Sequence, residues 1–162
     1  MSKRNKVVVL VVIALALVLS LVVFPWLGWV LGDRYRFTVV ERERISFLLF
    51  CGFAIMWLVV ISAAALLKSK ALFRLHFFYY FAIGVVSLGF FATHMMEVDV
   101  VRSTVMIWLF LIFLLPIQGI HYPFSEVAQG DSLHYVIMFI FAAFMNFNRL
   151  LAQRAVGYWR RK

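Results

Sequence analysis

The sequence predicts an all-α polytopic membrane helix bundle, with four spanning helices and one re-entrant or interfacial apolar segment. The alternative is five full spans. Three observations lead there. First, 65% of the 162 residues are hydrophobic and 14% are charged, against about 45–50% and about 25% in a soluble domain; so small a globule needs more polar residues to cover its surface. Second, the apolar residues fall into five runs, 7–31, 45–67, 75–93, 105–120 and 133–151. A helix that crosses a hydrocarbon core about 30 Å thick needs about 20 such residues. Third, the charged residues are confined to short stretches between those runs. Backbone polar groups in lipid find no water to bond, so the runs must be helical. No repeat, low-complexity tract or linker divides the chain, and residues 1–162 read as a single integral membrane domain.

Run 7–31 follows a basic start, Lys3-Arg4-Asn5-Lys6. It is much longer than the about 7–15 apolar residues of a signal peptide and lacks a small-x-small cleavage site. It therefore reads as an uncleaved first span, with Trp26 and Trp29 at its outer end. Run 45–67 follows a stretch of mixed charge that ends Glu41-Arg42-Glu43-Arg44. On a helical extension Glu41 and Arg44 lie at i,i+3 and can pair. The stretch reads as a self-paired cap, with a partner-binding loop as the functional alternative. Run 75–93 begins in Phe77-Phe78-Tyr79-Tyr80-Phe81, an aromatic group expected at the inner headgroup level. Run 105–120 is intensely apolar but short, and Pro116 interrupts it. Run 133–151 is expected to break near its end at Asn146, Asn148 and Arg149.

Counting Lys and Arg by side chooses between topologies. Five crossings with the N-terminus inside put six basic residues inside and ten outside, against the rule. Five crossings with the N-terminus outside reverse the numbers but export a basic tail. Four crossings put both ends inside and give eleven against five. Segment 105–120 is then the element that does not cross, because Pro116 can break it and the loop after it carries no Lys or Arg. The rival keeps 105–120 as a full crossing and holds 133–151 at the inner face. The expected location is an inner (plasma) membrane of bacterial type, with both termini cytoplasmic.

The formal charge of +9 would suggest nucleic acid in a soluble protein. Here it fits topology control and contact with anionic lipid, and no nucleic-acid partner is expected. Cys51 is the single cysteine and can form no internal disulfide; it reads as a small buried hydrophobe. No Asp, Glu, Lys, Arg or His stands in the middle of a run, which argues against a self-contained ion-coupled transporter or an intramembrane protease. Gly-rich phosphate loops, Cys-His pairs and G-x-S-x-G elbows are missing from the sequence.

Two groups of residues stand out. His94, Glu97, Asp99, His121, Glu126, Asp131 and His134 would all fall on the outer side. Their N and O atoms suit a cation such as Zn²⁺, but only His94 and Glu97 have a fixed local spacing. The expectation is an acidic surface, with no catalytic, cofactor or metal residue assigned. A haem between His94 and His134 would need the two rings to face each other on different helices, and His76 has no partner for one. No cofactor is expected. Gly28, Gly32, Gly84 and Gly89 suit close helix approach, which in lipid is driven by van der Waals contact.

Size and layout are similar to those of small accessory subunits of membrane complexes and of small immunity proteins, a likeness of architecture only. The sequence therefore points to a non-catalytic subunit or accessory protein that packs against another membrane protein or itself, amid membrane lipids. The alternatives are a small enzyme acting on lipid or a lipid-linked substrate at the outer face, and an immunity protein against a pore-forming toxin.

Overall fold

A computed structural model of the chain describes residues 3–31, 38–95, 104–124 and 131–160. The described residues form an all-α bundle with no strand. In chain order the helices are α1 (Lys3–Val18), α2 (Phe24–Leu31), α3 (Val39–Leu66), α4 (Lys70–Met95), α5 (Thr104–Leu109) and α6 (Asp131–Arg160). A π-helical stretch, Leu19–Val23, joins α1 to α2. A second, Phe110–Leu114, continues α5 and passes into a 3-10 stretch, Leu115–Phe124. Four helical spans are long and apolar enough to cross a membrane: Asn5–Val30, Glu43–Leu66, Lys70–Met95 and Leu133–Gly157.

Both π stretches have the same local cause. Pro25 and Pro116 lack an N–H, and the ring of a helical proline clashes with the carbonyl one turn back. The chain answers by widening the turn just before the proline. Phe24 N–H donates to the Leu19 carbonyl, and Leu115 N–H donates to the Phe110 carbonyl. Each bond reaches five residues back, the signature of a π turn.

The start of α3 is fixed by a capping box. The Thr38 N–H and hydroxyl donate to Glu41 Oε2 at 2.9 and 2.8 Å, and the Glu41 N–H donates back to Thr38 Oγ1 at 3.3 Å. These bonds, with a smaller contribution from Arg44, hold the Glu41 carboxyl below the usual carboxylate range. Glu41 thus serves chiefly as a cap, and its pairing with Arg44 is secondary.

A tight turn joins α3 to α4. Lys68 N–H donates to the Ala65 carbonyl at 3.2 Å and Ser69 N–H to the Ala64 carbonyl at 2.9 Å. That pattern is a Schellman motif, which calls for a left-handed residue where glycine is usual. Lys68 occupies that position with φ 49°. Ser69 then caps α4, its Oγ accepting from Leu72 N–H at 3.4 Å.

Ring contacts give the levels of the helices. Phe24 meets Phe53, Trp57 stacks on Tyr79, and Phe90 stacks on Tyr135. Successive long helices are therefore antiparallel. The N-terminus of α1, the Lys68 turn and the C-terminal part of α6 share one end of the bundle, termed here the hairpin end. The start of α3, the end of α4 and the start of α6 share the other.

This arrangement decides the fate of 104–124. Residues 95 and 131 both stand at the far end, so the segment between them leaves from and returns to that end. Its contacts trace the path. Phe110 packs on Phe90 near the far end, and Phe113 reaches Tyr79 deep in the bundle. Gly119 then lies against Ser46, back near the start of α3. The segment is re-entrant, passing inward as far as Phe113 and back to Gly119.

Two expectations about boundaries are corrected. The last helix does not break at Asn146, Asn148 and Arg149; α6 runs on to Arg160. Arg149 stays helical because its guanidinium lies 4.7 Å from the centre of the Phe77 ring and its Nη1 donates to Gln153 Oε1 at 3.3 Å. The Phe77–Phe81 aromatics are not all an interfacial belt either. Tyr79 and Tyr80 point inward and are buried, because Leu72, His76, Tyr79, Ile83, Ser87 and Phe90 recur at the three- and four-residue spacing of one helix face.

Candidate functional site

Three features outside ordinary helix packing can be built from the residues upward. The first is the polar group expected at the far end. His94 is exposed at the end of α4, and His134 lies in the first turn of α6. Both rings lie near Tyr135, with centroid separations of 6.5 Å for His94 and 5.9 Å for His134. The two histidines are thus brought to the same end of the bundle, each near the ring of one tyrosine. Asp131 opens α6 and His121 lies in the 3-10 stretch, but neither side chain is among those described. Glu97, Asp99 and Glu126 lie outside the described residues, as does Gly32. Among the described residues, no three His, Cys, Asp or Glu side chains gather as a metal site.

The glycines divide. Gly28 backs onto the Leu115 side chain, where a Cβ would stand 2.9 Å from Cγ. Gly84 faces Phe139 and Ala142 on α6, and Gly89 faces open space. The tightest glycine is one that hydropathy does not mark. At Gly119 a Cβ would fall on the Ser46 carbonyl and 2.5 Å from the Phe47 nitrogen.

The second feature is a buried polar-aromatic cluster in mid-bundle. Trp57 stacks on Tyr79 at 4.8 Å and meets His76 edge-on at 5.4 Å; His76 lies 4.6 Å from Tyr80, centre to centre. All four side chains are buried. The indole Nε1, both His76 ring nitrogens and both tyrosine hydroxyls have no hydrogen-bond partner among the described residues. Ser20, fully buried in the first π stretch, brings its hydroxyl close to that of Tyr79 without forming a well-shaped bond. Asn146 Oδ1 and Arg149 Nε extend the unpaired set along α6. Each such group costs about 1–3 kcal/mol relative to a satisfied one. Ser87 and Ser62, by contrast, bond their own helices, donating to the Ile83 and Leu58 carbonyls. The cluster offers donors and acceptors in an aromatic enclosure and can hydrogen-bond a small polar guest or water. No carboxylate stands in it, so it lacks the paired acid and base of a hydrolytic centre. The four-residue spacing of His76 and Tyr80, with Ser87 a further seven on, is the signal that could have found it.

The third feature is an apolar groove on the lateral surface. Leu21, Val22, Pro25, Trp26 and Trp29 form one wall, and Trp108, Leu111 and Ile112 of the re-entrant segment form the other. Its volume is about 530 Å³. The three tryptophans are 60%, 68% and 60% exposed, so their rings are available to whatever lies alongside.

No protein-family model, curated protein or solved structure matches the chain.

Proposed function

We propose that the chain is a non-catalytic membrane protein that works by packing against a helix of another membrane protein. The supporting observation is the lateral groove. Residues 21, 22, 25, 26 and 29 make one stripe of a helix, and 108, 111 and 112 make a second. Two parallel stripes with a trough between them suit an apolar helix laid into it. In lipid such docking is driven by contact area, and three exposed indole rings supply large, stiff contact surface. We assign the hairpin end to the cytoplasmic side of a bacterial-type inner membrane, because eleven of the sixteen Lys and Arg belong to it by sequence position and none of the seven acids does.

Site-specific photo-cross-linking tests the proposal. A photoreactive residue replaces Val22 or Trp26 in the groove, or Ile55 or Val59 on an exposed face of α3. The expected result is one heteromeric adduct of discrete mass from the groove positions, absent from the α3 positions and diminished by Trp29→Ala. Adducts to lipid alone, or equal yields from both faces, would refute it. An adduct of twice the chain's mass would replace the foreign partner with a second copy.

A further inference from the structure

At the hairpin end, a pocket of about 200 Å³ lies between the Lys68 turn and α6, lined by Lys68, Lys70, Phe73, Gln153, Val156 and Gly157. Its walls are mainly apolar. Its polar side chains are of one kind. Lys68 and Lys70 bring two ammonium groups. Gln153 accepts from Arg149 Nη1 with its Oε1 and has an NH₂ that can donate. All three can donate hydrogen bonds. Arg74 stands one turn beyond Lys70 on α4. The sequence carries no Asp or Glu from residue 44 to 96 or from 132 to 162, so the side chains of these two stretches carry a net positive charge.

We propose that this pocket binds the phosphate headgroup of an anionic phospholipid. Donors and cations at the rim recognise the phosphate. Phe73 and Val156 cover the glycerol and the first methylenes. Gly157 has no side chain, and a Cβ there would meet nothing within 4 Å, which leaves room for the headgroup to enter. The volume accepts a phosphate and a glycerol unit, at about 30 Å³ for each water-sized piece, and excludes a whole lipid, whose tails would run down the outside of the bundle. A basic pocket between membrane helices on the cytoplasmic side is where such headgroups are expected.

The test is native mass spectrometry of the delipidated full chain titrated with phosphatidylglycerol, phosphatidylcholine or soluble glycerol phosphate. Phosphatidylglycerol should bind as one tight adduct and phosphatidylcholine much more weakly. Lys68→Gly and Lys70→Gln should each weaken the adduct about fivefold, and together about twenty-fivefold. Lys68→Gly also suits the left-handed turn, so weaker binding there cannot be ascribed to a damaged fold. Gly157→Phe should fill the pocket and abolish the adduct. Thermal unfolding of each variant identifies any that is misfolded, and the remaining variants then decide. Equal retention of the two lipids, or affinity unchanged in the folded variants, would overturn the proposal. Soluble glycerol phosphate binding as tightly as the lipid, with the same sensitivity to the variants, would overturn its lipid source.

Discussion

Gly119→Ala should destabilise the bundle more than any other glycine-to-alanine change among the described residues. The backbone at Gly119 has no positive φ, so alanine meets no conformational barrier and the cost is purely one of space. The new Cβ would stand 2.5 Å from Phe47 N and closer still to the Ser46 carbonyl. Ordinary contact begins near 3.4 Å, so the re-entrant stretch and α3 must part by more than about 1 Å. Both partners are backbone, and neither can swing aside as a side chain does. Overpacking of this kind costs about 1–3 kcal/mol, and the rigid contact puts Gly119 near the top of that range. For a chain of this size the melting temperature should fall by about 4–12 °C. Fluorescence-monitored unfolding in mild detergent measures it, with Gly89→Ala as the control. Gly89 meets nothing within 4 Å, so alanine there should be neutral or gain up to about 1 kcal/mol of helix propensity. If Gly119→Ala melted within about 1 °C of the parent, the backbone of 115–124 would not rest on α3 and the packing described above would be wrong.

Three further outcomes follow from named contacts. Gly28→Ala should cost less than about 1.5 kcal/mol, because the Leu115 side chain can rotate away, whereas Gly28→Leu should cost more; matching melts for the two would refute the contact. Tyr80→Phe should leave stability unchanged or raise it by about 1 kcal/mol, since it deletes a buried hydroxyl without a partner, while Tyr80→Ala should cost about 3–5 kcal/mol; a destabilised Tyr80→Phe would show that the hydroxyl is bonded. The Glu41 carboxyl is held low by its bonds to Thr38, so its stabilising effect is complete above the ordinary carboxylate range and is lost as pH falls through the lowered value. Melting curves taken from neutral pH to below about pH 4 should therefore decline more steeply in the parent than in Glu41→Gln, and identical pH slopes would contradict the capping box.

Hydropathy made the four spans legible, because each run is long enough to cross on composition alone. Pro116 and the count of basic residues made the re-entrant segment legible as well. The packing was harder to read. Gly119 is one small residue in a short run, and nothing in its neighbours says that another backbone passes across it. Tyr79 and Tyr80 look like headgroup anchors when read as composition, and show themselves as interior only when counted around the helix with His76 and Ser87. Arg149 looks like a break in an apolar run until the Phe77 face is seen to receive its guanidinium. The groove was invisible for a related reason: its two walls are 79 or more residues apart in sequence, and tryptophans near a span's end serve equally well as anchors.

The re-entrant path is tested most directly by labelling single cysteines with a membrane-impermeant maleimide on intact cells, in a Cys51→Ser background. Val105→Cys and His121→Cys bracket the segment, and Lys3→Cys and Lys70→Cys mark the hairpin end. The account predicts that positions 105 and 121 label from the outside and that positions 3 and 70 label only after the membrane is permeabilised. Labelling of 105 and 121 from opposite sides would make the segment a full crossing and contradict the account.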